Sequence, residues 1–273
     1  MRVLAINDIS CVGKCSLSVS LPILSACGVT CDVLPTALLS THTGGFQGYT
    51  CLDLTDELQA ILAHWKTLGL QFDIIYSGYL GSIEQIRLVS DIRREFLKAN
   101  GTFIVDPVMG DGGKLYAGFT LTYIERMRAL CKEADYVLPN VTEACYLADI
   151  PYEKTPSIPL LMQKLTTLCP RPIVTGITEN NVISVKYVSE YGNESYSTKS
   201  VEGFFHGAGD VFSSAFVGCL ANGKTQEQAV RLAADFTTAA VKRTAKEVPD
   251  KRYGLNFEAE IFPFLKNLFG EKK

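Results

Sequence analysis

The sequence predicts an α/β fold, with a mostly parallel central sheet, helices on both faces of that sheet, and a β-hairpin near the C-terminal third. Over most of the 273 residues, short β-type segments alternate with longer segments of helical periodicity. Polar clusters follow several of the strand-like segments, as they do at the ligand-binding edge of a parallel sheet. Two β-rich segments flank Tyr191-Gly192-Asn193, which is typical of an antiparallel hairpin. Together these patterns favour a parallel sheet covered by helices.

The strands are assigned from short apolar runs that end at polar or turn residues. Arg2–Asn7 is the first such run, and Asp106-Pro107 stops the run Thr102–Val105. The predicted strands are Arg2–Asn7, Val29–Pro35, Asp73–Tyr76, Thr102–Val105, Tyr136–Leu138, Pro172–Gly176, Val182–Val188 and Glu194–Val201, and the last two form the hairpin.

The helices are assigned from apolar residues that recur every three or four positions. The clearest case is Ser82–Ala99, in which Ile86, Val89 and Phe96 share one stripe. Gly28 is a usual stop signal for the helix that begins at Ser16. The predicted helices are Ser16–Cys27, Asp53–Leu68, Ser82–Ala99, Leu121–Cys131, Thr142–Ala148, 207–221, 225–244 and Phe257–Phe269.

The composition is that of an ordinary globular chain with material for a large core, since 47% of the residues are hydrophobic and 20% are charged. No low-complexity linker and no internal repeat divides the chain, so a single domain is predicted over residues 1–273. The formal net charge is −3 and no long basic run occurs. These features argue against nucleic acid and anionic membrane surfaces as partners.

A cytoplasmic location is predicted from targeting and cysteine patterns. The first residues read as a strand rather than as a secretory signal, and no uninterrupted apolar stretch is long enough to span a membrane. The nine cysteines include no C-x-x-C pair. Buried, reduced thiols are therefore expected, with a zinc site at the spaced pairs Cys11/Cys15 and Cys27/Cys31 as the less favoured alternative.

Two common nucleotide-binding motifs are absent from the sequence. There is no G-x-x-x-x-G-K-[ST] motif, which excludes a P-loop. No G-x-G-x-x-G motif follows the first predicted strand, so nicotinamide binding in the manner of a dinucleotide fold is not expected. A phosphate site of another kind stays open, because a site can be locally positive in an acidic protein.

The segment Gly207-Ala208-Gly209-Asp210 is the strongest functional signal. It precedes an apolar run that reads as a buried helix, and its small residues let backbone N–H groups surround an anion. The unpaired N–H groups and the dipole at a helix N-terminus favour negative charge there. Asp210 then has two interpretations, a structural helix cap or a base that takes a proton from an alcohol attacking a phosphate. The tetrapeptide alone does not decide between them.

Two further clusters place carboxylates at a turn and at a helix start. The segment Asp106-Pro107-Val108-Met109-Gly110-Asp111-Gly112-Gly113 suits a loop that folds over a charged ligand, and it also suits a surface turn. Asn140 and Glu143 have the spacing of a capping box. The alternative is that they organise water around Mg²⁺, which prefers oxygen ligands.

The order of these motifs resembles that of the ribokinase-like superfamily and, within it, the pyridoxal kinases. The resemblance extends from about residue 3 to residue 245. The motifs that carry it are, in order, Ser10-x-Val12-Gly13, His42-Thr43-Gly44, Gly78-Tyr79, Asp106-Pro107-Val108-Met109-Gly110-Asp111, Pro139-Asn140-x-x-Glu143, Thr175-Gly176 and Gly207-Ala208-Gly209-Asp210.

The resemblance implies an ATP-dependent kinase of vitamin B6 salvage, which phosphorylates the 5′-hydroxymethyl group of pyridoxal, pyridoxine or pyridoxamine. Asp210 matches the family's catalytic base, and Gly207, Ala208 and Gly209 match the anion hole around the transferred phosphate. Ser10 and Thr43 match residues that hydrogen-bond the pyridine nitrogen and the 3-hydroxyl. The positions that match the substrate site are Ser10, His42, Thr43, Gly44, Tyr79 and Asp210.

The resemblance also implies the phosphate donor, its metal ion and the assembly. Asp111 and Glu143 match the expected Mg²⁺ ligands. Leu138 stands where many pyridoxal kinases carry a threonine near a monovalent cation, which argues against a K⁺ or Na⁺ site here. The family usually forms homodimers, so a homodimer is expected. The positions that match the ATP site are Asp111, Asn140, Glu143, Thr175 and Gly176.

Three alternatives share parts of this pattern. A hydroxymethylpyrimidine kinase of thiamine synthesis has the same fold, but many of those enzymes carry a cysteine where this chain has Asp210. A sugar kinase is less favoured, because the acids expected after the first strand and the two-glycine sugar motif are not evident. A protein that binds pyridoxal without turnover is the third alternative, and the presence of both Asp210 and Glu143 argues against it.

Overall fold

The computed structural model describes residues 1–153 and 156–270, and residues 154–155 and 271–273 of the predicted single domain lie outside this description. The strands are β1 (Arg2–Ser10), β2 (Thr30–Leu39), β3 (Cys51–Asp53), β4 (Phe72–Ser77), β5 (Leu97–Val105), β6 (Gly110–Asp111), β7 (Lys114–Leu115), β8 (Tyr136–Val137), β9 (Ile173–Glu179), β10 (Val182–Ser189) and β11 (Gly192–Lys199). The helices are α1 (Leu17–Ala26), α2 (Thr55–Thr67), α3 (Ile83–Phe96), α4 (Leu121–Cys131), α5 (Val141–Ala148), α6 (Ile158–Thr166), α7 (Ala208–Ala221), α8 (Gln226–Glu247) and α9 (Glu258–Phe269).

The central sheet has six strands in the order β3-β2-β1-β4-β5-β8. Every neighbouring pair in it is parallel except β3, which runs antiparallel to β2 at one edge. The helices between the parallel strands return the chain to the same end of the sheet each time. The carboxyl ends of β1, β4, β5 and β8 therefore meet along one edge, where ligands of such folds bind.

A smaller antiparallel sheet, in the order β11-β10-β9, extends this edge. Its hairpin joins β10 to β11, as the sequence predicts. Strand β9 pairs antiparallel with β10, and single parallel bridges from Pro172 to Val137 and from Thr175 to Asn140 attach its beginning to the central sheet. A third, two-stranded ribbon pairs β6 with β7.

Two hydrophobic clusters cover the two faces of the central sheet, and the alternation of side chains along β1 shows the division. Val3 and Ala5 belong to the cluster that includes α1, α7, α8 and α9, whereas Leu4 and Ile6 belong to the cluster with α2 to α6. Successive residues of a strand point to opposite faces, so a buried parallel strand is apolar throughout. The predicted α/β class, with helices on both faces and a hairpin late in the chain, is confirmed.

The boundaries of several elements differ from the prediction. The predicted helix Ser82–Ala99 ends at Phe96, and the next strand begins at once at Leu97. Strand β2 continues to Leu39, beyond the predicted end at Pro35, because a proline breaks a sheet hydrogen bond but not an extended backbone. Strand β3 was not predicted, since its three residues are exposed and show no apolar pattern. Helix α6 and the ribbon were not predicted either.

The cysteines, the metal-binding side chains and the helix lengths bear on the predicted thiols, zinc site and membrane span. All nine cysteines are free thiols, and five of them are buried in the hydrophobic clusters: Cys27, Cys131, Cys145, Cys169 and Cys219. Within residues 1–153 and 156–270, no group of three or more His, Cys, Asp or Glu side chains is arranged to hold a metal ion alone. Over the same residues, no helix has both the length and the apolar character needed to cross a membrane.

Candidate active site

A cavity of about 840 Å³ opens at the carboxyl edge of the central sheet, between that edge, the antiparallel sheet and the start of α7. Nearly all of the predicted site residues line it. Those that do are His42, Thr43, Gly44, Tyr79, Asp111, Asn140, Glu143, Thr175, Gly176, Gly207, Ala208, Gly209 and Asp210. Residues separated by up to 168 positions are thus brought together, because each follows a strand or begins a helix at the same end of the fold.

The N-terminus of α7 points into this cavity. Gly207 is its N-cap, with a φ of 77°, and a Cβ at this position would lie 2.2 Å from the backbone oxygen of Lys14. Only glycine fits here, since the backbone is left-handed and the neighbouring carbonyl leaves no room for a side chain. Among the described residues, the backbone N–H groups of Ala208, Gly209 and Asp210 donate to no protein acceptor. They form an arc of donors at the positive end of the helix dipole, which suits an anion.

Asp210 lies in the first turn of α7, half-buried at the cavity wall. Burial and the neighbouring carboxylate of Asp106 raise its pKa to about 7. The backbone N–H of Ser16 and the side-chain amide of Asn7 act in the opposite direction, because hydrogen bonds to a carboxylate favour its charged form. A carboxylate with a pKa near neutral pH can both accept a proton from an alcohol and release it again.

Asp106 and Glu143 form a buried acidic pair beside Asp210. The relative exposure of Asp106 is 6% and that of Glu143 is 3%. Burial raises the pKa of Asp106 to about 7, and burial together with the charge of Asp106 raises the pKa of Glu143 well above its ordinary value. Ser213 donates a hydrogen bond of 2.7 Å to Asp106. Glu143 accepts one of 3.1 Å from the backbone N–H of Met109 and one of 2.9 Å from that of Asn140.

The capping interpretation of the Asn140 and Glu143 pattern is confirmed. Asn140 caps α5 by accepting a hydrogen bond of 2.9 Å from the backbone N–H of Glu143, and Glu143 returns the contact, which is a complete capping box. The amide of Asn140 also donates to the backbone oxygen of Gly110 at 2.8 Å, which ties α5 to the glycine-rich segment. The cap holds Glu143 in place at the cavity wall, so its structural role does not exclude a role towards a cation.

The ionisation of Asp106 gives a testable dependence of stability on pH. Its pKa rises from an ordinary 3.8 to about 7 on folding, so between these values the folded protein binds a proton that the unfolded chain has released. Stability is therefore expected to fall as pH rises through this interval, by the contribution of this group. We expect Asp106→Asn to gain thermal stability relative to wild type as pH increases from 4 to 7 without Mg²⁺. Melting midpoints over this range measure the difference.

Asp56→Asn is the matched control, because Asp56 is exposed in the first turn of α2 and does not line the cavity. It makes the same chemical change without removing a buried charge. A difference between Asp106→Asn and wild type that stays constant over the whole interval would contradict the assignment of this carboxyl as a buried, destabilising charge.

The glycine-rich segment forms the ribbon β6–β7 over one side of the cavity. Gly112 and Gly113 have φ angles of 56° and 80°, which fits a two-residue hairpin turn with two left-handed positions. Asp111 accepts a hydrogen bond of 2.7 Å from the N–H of Gly112, and the N–H of Gly113 donates to the hydroxyl of Thr142 at 2.9 Å. The ribbon is thereby attached to α5 and presents Asp111 to the cavity.

Thr175 and Gly176 lie beside Asn140 at the junction of the two sheets. The backbone N–H of Thr175 donates to the oxygen of Pro139 at 2.9 Å. Gly176 has a φ of 75° and is exposed, with no atom within 4 Å of the place where a Cβ would stand. This part of the wall is therefore open, and backbone atoms rather than bulky side chains face the cavity.

The loop of His42, Thr43 and Gly44 closes the opposite part of the cavity. Both ring nitrogens of His42 are engaged: Nε2 donates to the backbone oxygen of Arg252 at 2.6 Å, and Nδ1 accepts from the N–H of Gly44 at 3.1 Å. This arrangement fixes the neutral tautomer, and burial lowers the pKa of the ring. His42 thus holds the loop against the C-terminal part of the chain, while Thr43 is exposed and free to face a ligand.

Tyr79 lies at the same end, just after β4. Its backbone N–H donates to Oδ1 of Asn7 at 2.7 Å, and its backbone oxygen accepts from the hydroxyl of Thr36 at 3.0 Å. The ring stands 5.8 Å from that of Phe119, between their centroids. Contacts on both sides of the peptide thus fix the place where this aromatic ring meets the cavity.

Ser10 is the predicted site residue that does not line the cavity. It is 3% exposed, and its hydroxyl donates to Oδ2 of Asp8 at 3.2 Å. Asp8 lies at the cavity wall instead, and a hydrogen bond from the hydroxyl of Ser16 holds its other oxygen. The register between β1 and β2 shifts between Asn7 and Ile9, which changes the facing of the residues that follow.

Sequence reasoning did not assign several residues of the wall. Asp8 and Asp106 carried a usable signal, since each is an acid that follows an apolar strand and both were recognised as strand-end polar residues. The others carried none, because loops from distant parts of the chain bring them to the cavity. These others include Cys15, Ser16, Tyr116, Phe204, Phe205 and His206.

Comparison with known proteins places the fold and the cavity in a family. The family model for phosphomethylpyrimidine kinase matches residues 20–254. A Bacteroides thetaiotaomicron protein described as a phosphomethylpyrimidine kinase, solved with pyridoxal, has a TM-score of 0.91 and 35% identity and covers 96% of this chain and 95% of its own. Pyridoxal kinase from Lactobacillus plantarum has a TM-score of 0.91 and 31% identity, with coverage of 97% and 96%.

A comparison of amino-acid sequences alone finds a further relative. A Schizosaccharomyces pombe protein described as a pyridoxal kinase is 27% identical over 197 residues. The match covers 67% of this chain and 56% of the relative, so the chain spans little more than half of that relative's length. The family model covers far more than half of the chain, and the two solved structures match it over nearly their whole length. The chain belongs to the phosphomethylpyrimidine kinase family, and the predicted resemblance to the pyridoxal kinases of the ribokinase-like superfamily is confirmed.

Proposed function

We propose that this protein is an ATP-dependent kinase that phosphorylates the 5′-hydroxymethyl group of pyridoxal and its vitamers pyridoxine and pyridoxamine, as in vitamin B6 salvage. The observation that carries the proposal is Asp210 beside the unengaged N–H groups at the start of α7, in one cavity with the acidic pair. The solved relative that contains pyridoxal and the one described as a pyridoxal kinase support the choice of substrate.

The geometry supports the role that we assign to each residue. Asp210 takes the proton of the attacking hydroxyl, because its carboxylate lies in the first turn of α7, whose N–H groups form the donor arc, and lines the same cavity. The N–H groups of Ala208, Gly209 and Asp210 bind the oxygens of the transferred phosphoryl group, where charge is distributed in the transition state. Thr43 and Tyr79 line the cavity and would face the ring, and Thr175 with Gly176 would face the nucleotide phosphates.

Mg²⁺ fits the acidic side of the cavity. Magnesium in kinases is commonly bound by one or two carboxylates together with substrate phosphates rather than by a cage of protein ligands. Asp111 and Glu143 line the cavity and offer such oxygens, and burial together with the charge of Asp106 raises the pKa of Glu143, which a bound cation would oppose. Bound Mg²⁺ would supply neutralisation of phosphate charge, and Asp111, Asn140 and Glu143 would position it. A monovalent cation site is not proposed, since Leu138 offers no oxygen from its side chain.

The metal role of Glu143 predicts a changed Mg²⁺ requirement. In Glu143→Gln the side chain keeps its size and one oxygen for the capping contact with Asn140, but it loses its charge. We expect the Mg²⁺ concentration at half-maximal activity to rise by roughly 10- to 100-fold, as for other substitutions that weaken metal binding. Titration of activity with Mg²⁺ at saturating ATP measures this. An unchanged titration curve would remove Glu143 from the metal site and leave it the capping role alone.

A panel of acceptors and nucleotides tests the function itself. Purified protein is assayed for ADP formation with pyridoxal, pyridoxine, pyridoxamine, hydroxymethylpyrimidine and ribose, each with ATP and Mg²⁺. We expect the highest kcat/KM with a B6 vitamer. Binding of pyridoxal without ADP formation would favour a binding protein, and preference for ribose would reject the proposal.

Hydroxymethylpyrimidine is the second candidate acceptor, because the matching family model is that of phosphomethylpyrimidine kinases. Its hydroxymethyl group presents the same reacting alcohol, so the same panel ranks it directly against pyridoxal. The homodimer implied by the resemblance and the cytoplasmic location stay predictions. Sedimentation velocity of the purified protein tests the first of these.

A further inference from the structure

The side chain of Asp8 is a buried carboxylate at the cavity wall for which the proposed mechanism has no use. It is 5% exposed. The hydroxyls of Ser10 and Ser16 donate to its two oxygens. Among residues 1–153 and 156–270, no lysine or arginine forms an ion pair with it. A buried charge held only by neutral donors is costly unless a ligand brings the opposite charge.

His42 is a basic side chain whose charge would act on Asp8, but it cannot serve as that opposite charge. Its Nδ1 accepts a hydrogen bond from a backbone N–H, which a protonated ring nitrogen cannot do. Its Nε2 donates to a backbone oxygen of Arg252. The ring therefore stays neutral while both contacts exist, and it supplies no positive charge to Asp8. Burial raises the pKa of the Asp8 carboxyl, as expected for a buried acid without a cationic partner.

The neighbours of the cavity acids differ between Asp8 and Asp106. Besides burial, the charge of Asp8 raises the pKa of Tyr79, and besides burial, the charge of Asp106 raises the pKa of Glu143. Both Asp106 and Asp8 act on Asp210, after burial. Asn7, the residue before Asp8, accepts a hydrogen bond of 2.7 Å from the backbone N–H of Tyr79, and Asp8 and His42 act electrostatically on each other. Asp8 is therefore placed with Tyr79 and His42, whereas Asp106 neighbours Glu143.

Asp8 thus shares the ring end of the cavity with the aromatic side chain and the His42 loop. A B6 vitamer has one basic group common to all its forms, the pyridine nitrogen, while pyridoxamine adds an amine. Ser10, which the resemblance assigns to the ring nitrogen, has its hydroxyl engaged with Asp8 and does not line the cavity. Asp8, in contrast, lines the cavity and presents a carboxyl group at this end.

We propose that Asp8 is the specificity-determining counter-ion for the protonated ring nitrogen of the substrate, with Ser10 and Ser16 as its supports. This inference rests on the proposed function, since it names how the same site selects its acceptor. A carboxylate accepts a hydrogen bond from a pyridinium nitrogen and stabilises its charge, which a serine at the same place would not do. The site accordingly binds the ring in its protonated form.

The test compares two substrates in two proteins. Wild type and Asp8→Asn are assayed with pyridoxal and with its carbocyclic analogue, in which C–H replaces the ring nitrogen and the hydroxymethyl group is kept. We expect Asp8→Asn to lose about 10- to 100-fold in kcat/KM for pyridoxal, the usual cost of losing a hydrogen bond to a charged group. Wild type is expected to lose a similar factor for the analogue, and Asp8→Asn to distinguish little between the two.

A purely structural role of Asp8 predicts something else. Asp8→Asn would then weaken both substrates equally, through the displaced loop that Ser10 and Ser16 hold, and this equal loss would overturn the proposal. Ser10→Ala is the companion variant: it weakens the support and is expected to reduce the preference for pyridoxal over the analogue only in part. Retention of the full preference by Asp8→Asn would also overturn the proposal.

Two further measurements make the assignment specific. Pyridoxine and pyridoxamine are assayed with both proteins, and a loss confined to pyridoxamine would overturn the assignment to the ring nitrogen in favour of the amine. Absorption spectra of bound pyridoxal are recorded at a pH where the free vitamer is largely unprotonated on the ring. We expect the spectrum of the ring-protonated form in wild type and its disappearance in Asp8→Asn.

The outcomes separate this inference from the function on which it rests. No ADP formation by wild type with any vitamer would reject the kinase itself. Normal turnover of pyridoxal by wild type, with Asp8→Asn equal to it, would reject only the counter-ion. Asp56→Asn, which makes the same chemical change on an exposed surface, is expected to match wild type in every assay.

Discussion

Replacing Asp210 with asparagine is expected to lower kcat by about 10²- to 10⁴-fold, the range typical of losing a general base. The amide has the same shape, so the donor arc of α7 and the ring pocket stay in place. It cannot accept the hydroxyl proton at neutral pH. Pyridoxal affinity should therefore change little, which equilibrium binding without nucleotide measures beside the steady-state rate.

The comparison of rate with affinity decides between the two interpretations of Asp210. Gly207 is the N-cap of α7, so a structural Asp210 would act on the helix dipole from the first turn. Such a role predicts a lower melting temperature and a nearly unchanged kcat at a temperature where the variant is folded. A base predicts the opposite result. Asp56→Asn controls for the chemical change, since that residue is exposed in α2. A kcat within a few-fold of wild type would remove Asp210 from the role of base.

The sequence predicted the architecture because periodicity and strand-end polarity are local properties. Helix α3 follows directly from its apolar stripe, and Ser82 caps it by accepting a hydrogen bond from the N–H of Gln85. Strand β3 escaped prediction because its pairing with β2, rather than its own residues, makes it a strand. The direction of β9 was not predicted either. Its antiparallel pairing with β10 depends on the hairpin that follows it and not on its own composition.

The sequence predicted most residues of the site, but it did not predict which residues at the strand ends point into the cavity. The order of the motifs predicted that the helix start at Gly207, the acids and the His42 loop belong to one site, and all of them line one cavity. Which residue of a strand end faces the cavity depends on local register, and one irregularity near Asn7 separates Ser10 from the wall. The raised pKa values of Asp106 and Asp210 also depend on burial and proximity between residues that are far apart in the sequence.

The anion-binding arc depends on backbone geometry, and Gly207→Ala tests this dependence. The φ of 77° and the carbonyl of Lys14, 2.2 Å from the added Cβ, force the cap to move. We expect a loss of about 1–3 kcal/mol in stability from backbone strain. We also expect kcat to fall by about 10²- to 10³-fold, as when one preorganised donor is removed from a charged transition state. Thermal melting and steady-state kinetics measure the two effects.

Gly209→Ala is the matched control, because it makes the same substitution two residues away in the same helix turn. A Cβ at position 209 meets no atom within 4 Å. Alanine is favoured over glycine inside a helix by up to about 1 kcal/mol, so the melting temperature should not fall. If the N–H arc holds the migrating phosphoryl group, Gly207→Ala must lose turnover well below its own melting temperature while its affinity for pyridoxal persists. Equal kcat values in Gly207→Ala and wild type would mean that the phosphate is held elsewhere.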